Sequence, residues 1–243
     1  MSTRAVDLSG GFGSKRVLSA RTQPVRANGP RANTLLLEGL RAQLRQRESA
    51  GTTPAARWVA SGYAALDGLL PGGGIRRGSM VEFLGRPGGG AGLLGLFWAC
   101  RVAGQEGFVM VVDETGWFYP PAAAALGLDL HRLLVIRAAN SKDRLWALDQ
   151  ALRCPAVAAV WSWVARLAPA DYRRLALAVE QSGVIGLLSR PERVRGQPCW
   201  SDVQLWVQPV LRRVQHGAST RRLRVEVTRC RHGRGGGPVE LDL

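Results

Sequence analysis

The stretch Met80–Trp98 reads MVEFLGRPGGGAGLLGLFW and decides the fold of this chain. An apolar run of strand length leads into a glycine-rich turn, and an apolar segment of helical length follows. In parallel α/β sheets, a glycine-rich turn between strand and helix can direct its backbone N–H groups towards phosphate oxygens. The positive end of the helix dipole lies beside them. The stretch therefore predicts an α/β protein with a phosphate-type loop after a buried strand.

The loop lacks the side chains that bind the phosphates and Mg²⁺ of a nucleoside triphosphate. A working phosphate loop has the pattern GxxxxGK[ST], in which the lysine neutralises the β and γ oxygens and the hydroxyl holds Mg²⁺. Here Ala91 stands in place of the lysine and Gly92 in place of the hydroxyl. Three interpretations stay open: a turn that only joins strand to helix, residual anion binding by backbone amides, and a weak ATPase. The residues of this degenerate phosphate loop are Gly85, Arg86, Gly88, Gly89, Gly90, Ala91 and Gly92.

From Trp58 onward, apolar runs of strand length alternate with helical stretches, which is typical of βαβ units around a mostly parallel sheet. The pattern then changes to two alternating strands, which predicts a closing β-hairpin. The strand candidates are Met80–Leu84, Phe108–Val112, Leu133–Ile136, Val157–Val164 and Val184–Leu188, then Val203–Val214 and Arg222–Cys230 for the hairpin. The helix candidates are Leu93–Ala103, Pro121–Leu126, Lys142–Arg153, capped by Ser141, and Ala170–Gln181.

The composition indicates a folded protein with a polyanionic or acidic partner. Of 243 residues, 46% are hydrophobic, which suffices for a sizeable core. No apolar run approaches the length of about 18 residues that a membrane span needs, so we expect a cytoplasmic protein that does not contact a membrane. The four cysteines are far apart without a CxxC pair, which predicts neither a metal site nor a disulfide framework. The net charge of +15 favours acidic or nucleic-acid partners.

Changes in composition divide the chain into four segments. These are a disordered basic arm (1–33), an amphipathic helix with a polar linker (34–57), a core domain (58–231) and a flexible tail (232–243). In the second segment, Leu36, Leu40 and Leu44 recur at helical spacing. This apolar face either packs on the chain's own core or docks onto another protein.

A longer pattern precedes the glycine loop. It comprises the run VASGYAALD at 59–67, then Leu69, Leu70, Gly72, Gly73, Gly74, Ile75, Gly78, Val81, Glu82 and Gly85. This pattern resembles the entry to the RecA-type core, and the resemblance covers roughly residues 58 to 230. With its lysine-less loop and its closing sequence LRVEVTRCRHGRGGGPVELDL, the chain is similar to the ImuA family, RecA-like accessory proteins of bacterial mutagenic translesion synthesis. That family is related to SulA, the SOS inhibitor of cell division.

The resemblance implies that the ATPase chemistry has been lost. The position of the RecA catalytic glutamate falls on Thr115, although a shift of one residue would bring in Glu114, and Asp113 is also close. The position of the Mg²⁺-associated aspartate falls near Ser162, where no carboxylate occurs. We therefore expect no enzyme activity and no cofactor, apart from residual ATP, ADP or anion binding at the loop.

Two further groups are binding candidates. A basic loop follows the strand that ends at Leu188, where RecA proteins contact single-stranded DNA, and arginines that pair with local acids are the alternative interpretation. The DNA-contact candidates are Arg190, Arg193, Arg195 and Trp200, with Arg212 and Arg213 in the hairpin. Trp117, Phe118 and Tyr119 follow the second strand, where they would fill an emptied nucleotide pocket, anchor a protein partner or stack on a base.

Taken with the resemblance, these features predict a non-catalytic adaptor in SOS-induced error-prone DNA synthesis, associated with the nucleoid. The expected partners are an inactive Y-family polymerase homologue of the ImuB type and an error-prone replicative-type DNA polymerase. RecA and single-stranded DNA are further candidates. The alternatives are a SulA-like inhibitor of cell division and a weak RecA-superfamily ATPase.

Overall fold

The computed structural model describes residues 58–104, 107–210, 221–231, 233 and 236–243. The predicted arm, the 34–57 segment with Leu36, Leu40 and Leu44, and the hairpin residues Arg212 and Arg213 lie outside the described residues. Within the described residues, no helix combines the length and the apolarity that crossing a membrane would need.

Two sheets are present in the described part of the chain. A short antiparallel pair joins β1 (Trp58–Val59) to β2 (Ile75–Arg76), and helix α1 (Ala64–Asp67) lies between them in sequence. The main sheet has eight strands, in the order β10-β9-β8-β3-β7-β6-β4-β5. Their bounds are β3 Met80–Gly85, β4 Phe108–Asp113, β5 Leu133–Arg137, β6 Val157–Trp163, β7 Ile185–Pro191, β8 Val203–Pro209, β9 Arg222–Cys230 and β10 Gly236–Asp242.

The main sheet is mostly parallel. All pairs from β8 through β3, β7, β6 and β4 to β5 are parallel, whereas β8, β9 and β10 pair antiparallel. Parallel neighbours need crossover connections, which four helices supply. They are α2 (Ala91–Ala103), α3 (Pro120–Ala125), α4 (Ser141–Leu152) and α5 (Pro169–Ser182). The predicted α/β class, with a mostly parallel sheet flanked by helices and closed by a β-hairpin, is confirmed.

The sheet is buried on both faces because α2 packs on one face and α4 and α5 pack on the other, and side chains alternate between the two faces along each strand. Val81 and Phe83 of β3 pack in the hydrophobic cluster that includes α2, whereas Met80 packs in the cluster that includes α4 and α5. The same alternation places Trp161 of β6 on the α2 side and Val160 on the opposite side. This alternation determines which side chains face the glycine loop.

Two local predictions were wrong. The cap of α4 is Asn140, whose Oδ1 accepts 3.0 Å hydrogen bonds from the N–H groups of Lys142 and Asp143, and not Ser141. The flexible tail predicted for 232–243 is also incorrect over Gly236–Asp242, which forms β10 against β9. Leu241 is buried there, and its position is opposite Leu223 in the register. The low-complexity sequence that precedes this strand gives no sign of the buried Leu241.

Candidate functional site

A cavity of about 550 Å³ lies beside the glycine loop. Its walls come from the loop, the start of α2, the segment after β4 and the ends of β6 and β7, so it lies at the carboxyl end of the parallel strands, where α/β sheets usually bind ligands. The volume falls within the usual range of roughly 300–1,000 Å³ for ligand pockets. The degenerate phosphate loop thus borders an open pocket, which the aromatic residues line but do not fill.

The indole of Trp161 occupies the side of α2 that faces the sheet. A Cβ atom at Gly92 would lie 3.5 Å from Trp161 Cζ2, and one at Gly95 would lie 2.8 Å from Trp161 Nε1. The indole is held in place because Nε1 donates a 3.1 Å hydrogen bond to Ser189 Oγ and because its ring contacts Phe118, with 5.9 Å between centroids. An aromatic ring therefore lies beside Gly92, the residue at the position of the magnesium-binding hydroxyl.

The carboxylate of Asp113 is fully engaged in structural contacts. It accepts hydrogen bonds from the Thr115 N–H (2.9 Å), the Thr115 hydroxyl (2.9 Å) and the Phe118 N–H (2.8 Å), and it forms an ion pair with Arg137. Burial by itself raises the pKa of Asp113, but these hydrogen bonds and the charge of Arg137 outweigh burial and hold the pKa below its ordinary value. The contacts of Asp113 thus favour its ionised form and hold the turn after β4 in place.

The side chains at the other two positions compared with RecA, Glu114 and Ser162, also have partners within the protein. Glu114 forms an ion pair with Arg144, a buried residue of α4. The Ser162 side chain is fully buried, and its hydroxyl donates a 2.6 Å hydrogen bond to the Val112 carbonyl. A general base must reach the attacking water, and neither Glu114 nor Ser162 is among the residues that line the cavity.

The three aromatic residues after β4 separate into an interior and an exterior group. Phe118 is partly buried against the core and lines the cavity beside Trp161, whereas Trp117 and Tyr119 line its mouth and are 81% and 66% exposed. The arginines at the cavity are Arg86, Arg193 and Arg221. Arg86 donates from Nε to Glu192 at 2.7 Å, and Arg221 donates to the Gly88 carbonyl at 2.7 Å.

Arg190 is wrong as a DNA-contact candidate. Strand β7 continues three residues beyond the predicted end, so Arg190 lies within the sheet opposite Leu84. Its guanidinium is buried and donates a 2.6 Å hydrogen bond to Glu82, whose side chain is 0% exposed and also accepts from Gln204 at 2.8 Å. Arg190 therefore balances a buried carboxylate, which is a structural role.

The exposed part of the basic loop keeps three of the predicted residues. Arg193 is exposed and makes no ion pair within the described residues. Arg195 is exposed too, but its guanidinium lies 3.8 Å from the centre of the Trp206 ring and 3.6 Å from Glu226. Trp200 is 48% exposed, with the guanidinium of Arg173 5.5 Å from its ring. The structure brings these three side chains to the surface.

Three residues that shape the site were not predicted from the sequence: Trp161, which lines the cavity, and Arg137 and Arg144, which pair with Asp113 and Glu114. Trp161 packs partly buried against the core, and neither arginine was singled out in the sequence. The alternation of VWSW along β6 places Trp161 and Trp163 on one face, and this signal was available in the sequence. The arginine partners depend on the strand order, which the sequence does not show. Across the described residues, no three His, Cys, Asp or Glu side chains group closely enough to hold a metal ion.

Comparison with known proteins agrees with this architecture. No protein-family model matches the chain. The chain is similar to the protein ImuA of Caulobacter vibrioides, with 29% identity across 77% of this chain and 84% of the relative. It is also similar to RecA of Arthrospira platensis (35% identity) and of Nostoc punctiforme (33%), in each case across 41% of this chain and 27% of the RecA protein. The fold is a RecA-like α/β fold.

Proposed function

We propose that this chain is a non-catalytic, RecA-like accessory protein of error-prone translesion DNA synthesis. The observation that carries the proposal is the Trp161 indole beside Gly92, in a site whose nearby carboxylates Asp113 and Glu114 are bound to arginines. A phosphoryl-transfer site needs a cation at the phosphates, a metal ion and an oriented water. The sequence supplies no lysine or hydroxyl at the loop, and the neighbouring carboxylates have other partners.

The biological setting of the proposal rests on similarity to ImuA along most of the chain. The RecA similarity spans a shorter segment and accounts for the fold without implying the RecA activity. Under this proposal the protein works by bridging. It holds an inactive Y-family polymerase homologue of the ImuB type and helps to bring an error-prone replicative-type polymerase to damaged DNA.

Contact with single-stranded DNA is the second element of the proposal. Arg193 and Trp200 offer an exposed cation and an exposed stacking surface in the loop after β7, which suits backbone tracking with sequence-tolerant stacking. The net charge of +15 favours the same kind of partner. Arg190 is buried against Glu82 and is not part of the proposed DNA contact.

Two assays test the proposal separately. Steady-state ATP hydrolysis by the full-length protein, with and without single-stranded DNA, should show no protein-dependent turnover, and turnover above the buffer level would refute the non-catalytic assignment. In cells, deletion of the gene should abolish damage-induced mutagenesis, and a plasmid copy should restore it. Filamentous cells on overexpression, with mutagenesis unchanged by deletion, would instead support the SulA-like alternative.

A further inference from the structure

The cavity beside the glycine loop has an apolar interior. Phe118 and Trp161 form one wall, Leu93 and Leu96 of α2 another, and Trp163 lies at the end of β6. A pocket of this volume accepts one or two large side chains, and removing an aromatic or aliphatic side chain from water is favourable. The interior therefore suits an apolar group rather than a chain of phosphates.

The mouth of the cavity carries residue types that dominate protein interfaces. Trp117 is 81% exposed and Tyr119 is 66% exposed, although both are large enough to be covered in most proteins. Tryptophan, tyrosine and arginine are the residues most enriched at binding hot spots, and Arg86, Arg193 and Arg221 complete this rim. An exposed indole next to an open apolar cavity indicates a surface that a partner covers.

The charge at the rim selects the partner. Asp113 is the one carboxylate among the residues that line the described cavity, and Arg137 neutralises it. Glu192 balances Arg86 alone, so Arg193 and Arg221 remain without a carboxylate partner within the described residues. A segment with carboxylates on either side of its apolar group complements this rim.

Two other occupants are disfavoured by charge. Residues 1–57 of the same chain carry ten basic and three acidic residues, so the arginine rim would repel them. A second copy of the chain brings the same net charge of +15. The occupant is therefore an acidic segment of a different protein.

We propose that this cavity is a docking pocket for an acidic peptide segment of a partner protein. One large apolar side chain of the segment enters between Phe118, Trp161 and Leu96, Trp117 and Tyr119 close over it, and its flanking carboxylates pair with the rim arginines. The inference rests on the proposed function in one respect, because it requires that ATP does not use the site.

The test is an array of 12-residue peptides probed with the full-length protein. One set has Leu, Phe or Trp at its centre and four carboxylates around it, a second has Ala at the centre, and a third replaces the acids by lysines. We expect binding to the first set alone. Fluorescence anisotropy of the strongest binder should then show affinity reduced about tenfold or more by Trp117→Ala or Arg193→Ala.

Matched controls separate the pocket from the general surface. Trp146 on α4 is 66% exposed and does not line the cavity, and Lys142 at the start of α4 is exposed as well. Trp146→Ala and Lys142→Ala should leave peptide affinity unchanged. Thermal melting confirms that each variant is folded, which we expect because the four side chains are exposed.

Each remaining outcome decides the question. Equal binding of the large-side-chain and Ala peptides, or full affinity in Trp117→Ala, would show that charge alone is recognised and would overturn the docking pocket. The absence of any bound peptide would overturn it too, and if ATP hydrolysis is also absent, the proposed function survives. Displacement of the peptide by ATP, together with ATP turnover, would reject both proposals.

Discussion

The indole of Trp161 lies so close to Gly95 of α2 that a Cβ atom there would stand 2.8 Å from Trp161 Nε1. The same ring is 3.5 Å from the position of a Cβ atom at Gly92. Because Gly92 and Gly95 have no side chain, the ring of Trp161 packs against the first turns of α2. We therefore expect that changes to the glycine loop alone do not rebuild a nucleotide site, because the Trp161 ring belongs to β6 and not to the loop.

The first prediction concerns restoration of the phosphate-loop residues. Ala91→Lys combined with Gly92→Thr recreates the GxxxxGK[ST] pattern, but Ser162 is still buried and Asp113 and Glu114 are still bound to arginines. We expect ATP turnover to stay at the wild-type level, measured by phosphate release with and without single-stranded DNA. Turnover that rises in the double variant would mean that the two missing side chains were the whole defect.

The second prediction concerns the buried pair of Arg190 and Glu82. Arg190→Met leaves a fully buried carboxylate without its cation, so the free energy of unfolding should fall by about 3–5 kcal/mol. Urea denaturation measures the change. Arg193→Met, in the exposed loop, is the matched control and should change stability by about 0.5 kcal/mol or less.

The pair also permits a stricter test. Adding Glu82→Gln to Arg190→Met removes the unpaired charge, so the double variant should be more stable than Arg190→Met alone. Additive losses would show that the two side chains do not stabilise each other.

The third prediction concerns the pH dependence of stability. The pKa of Asp113 is lowered in the folded protein relative to the ordinary value of 3.8. A lowered pKa contributes stability that is fully present above the unfolded pKa and is lost as the pH falls through the folded pKa. Asp113→Asn should therefore be less stable than the wild type at pH 7, by on the order of 2 kcal/mol because hydrogen bonds to a charged acceptor are lost.

Chemical denaturation at several pH values tests this expectation. The stability difference between the wild type and Asp113→Asn should be constant from pH 7 to about pH 5 and should shrink below pH 3.8. Asp143→Asn, in the exposed first turn of α4, serves as the comparison. A difference that does not change with pH would show that the Asp113 charge is not what stabilises the turn.

The fourth prediction concerns the thiol of Cys100 on α2. Burial raises its pKa to about 11 from an ordinary value of 9.0. At pH 8 its thiolate is therefore about 100-fold scarcer than that of a free cysteine, and the thiolate is the reactive form. Alkylation followed by mass spectrometry should find Cys100 slow at pH 8, with a rate that keeps rising towards pH 11. A rate that levels off near pH 9 would contradict the buried environment.

The sequence carried enough information for the sheet but not for the pairing within the site. Apolar runs and helical periods located β3 to β7 and the four main helices because each signal lies within a dozen residues. Asp113 and Arg137, in contrast, are register partners across β4 and β5, and Trp161 of β6 contacts Gly95 of α2, the helix packed on that face of the sheet. These contacts depend on the strand order, which local patterns do not contain. Arg190 was misplaced for a related reason, because a polar residue in a buried strand resembles the start of a loop until its partner Glu82 is known.

The last prediction concerns single-stranded DNA. If the loop after β7 tracks the phosphate backbone, Arg193→Ala with Arg195→Ala should weaken binding and reduce the salt slope of the affinity by about 1.4, since each lost phosphate contact contributes about 0.7 on single strands. Fluorescence anisotropy with a labelled oligonucleotide between about 50 and 200 mM salt measures both quantities. Lys142→Ala, which removes one exposed charge from α4, should leave the slope unchanged. An unchanged slope in the double variant would remove the loop from the DNA-binding surface, and the basic segments 1–57 and 211–220 would become the candidates that truncation and substitution must test next.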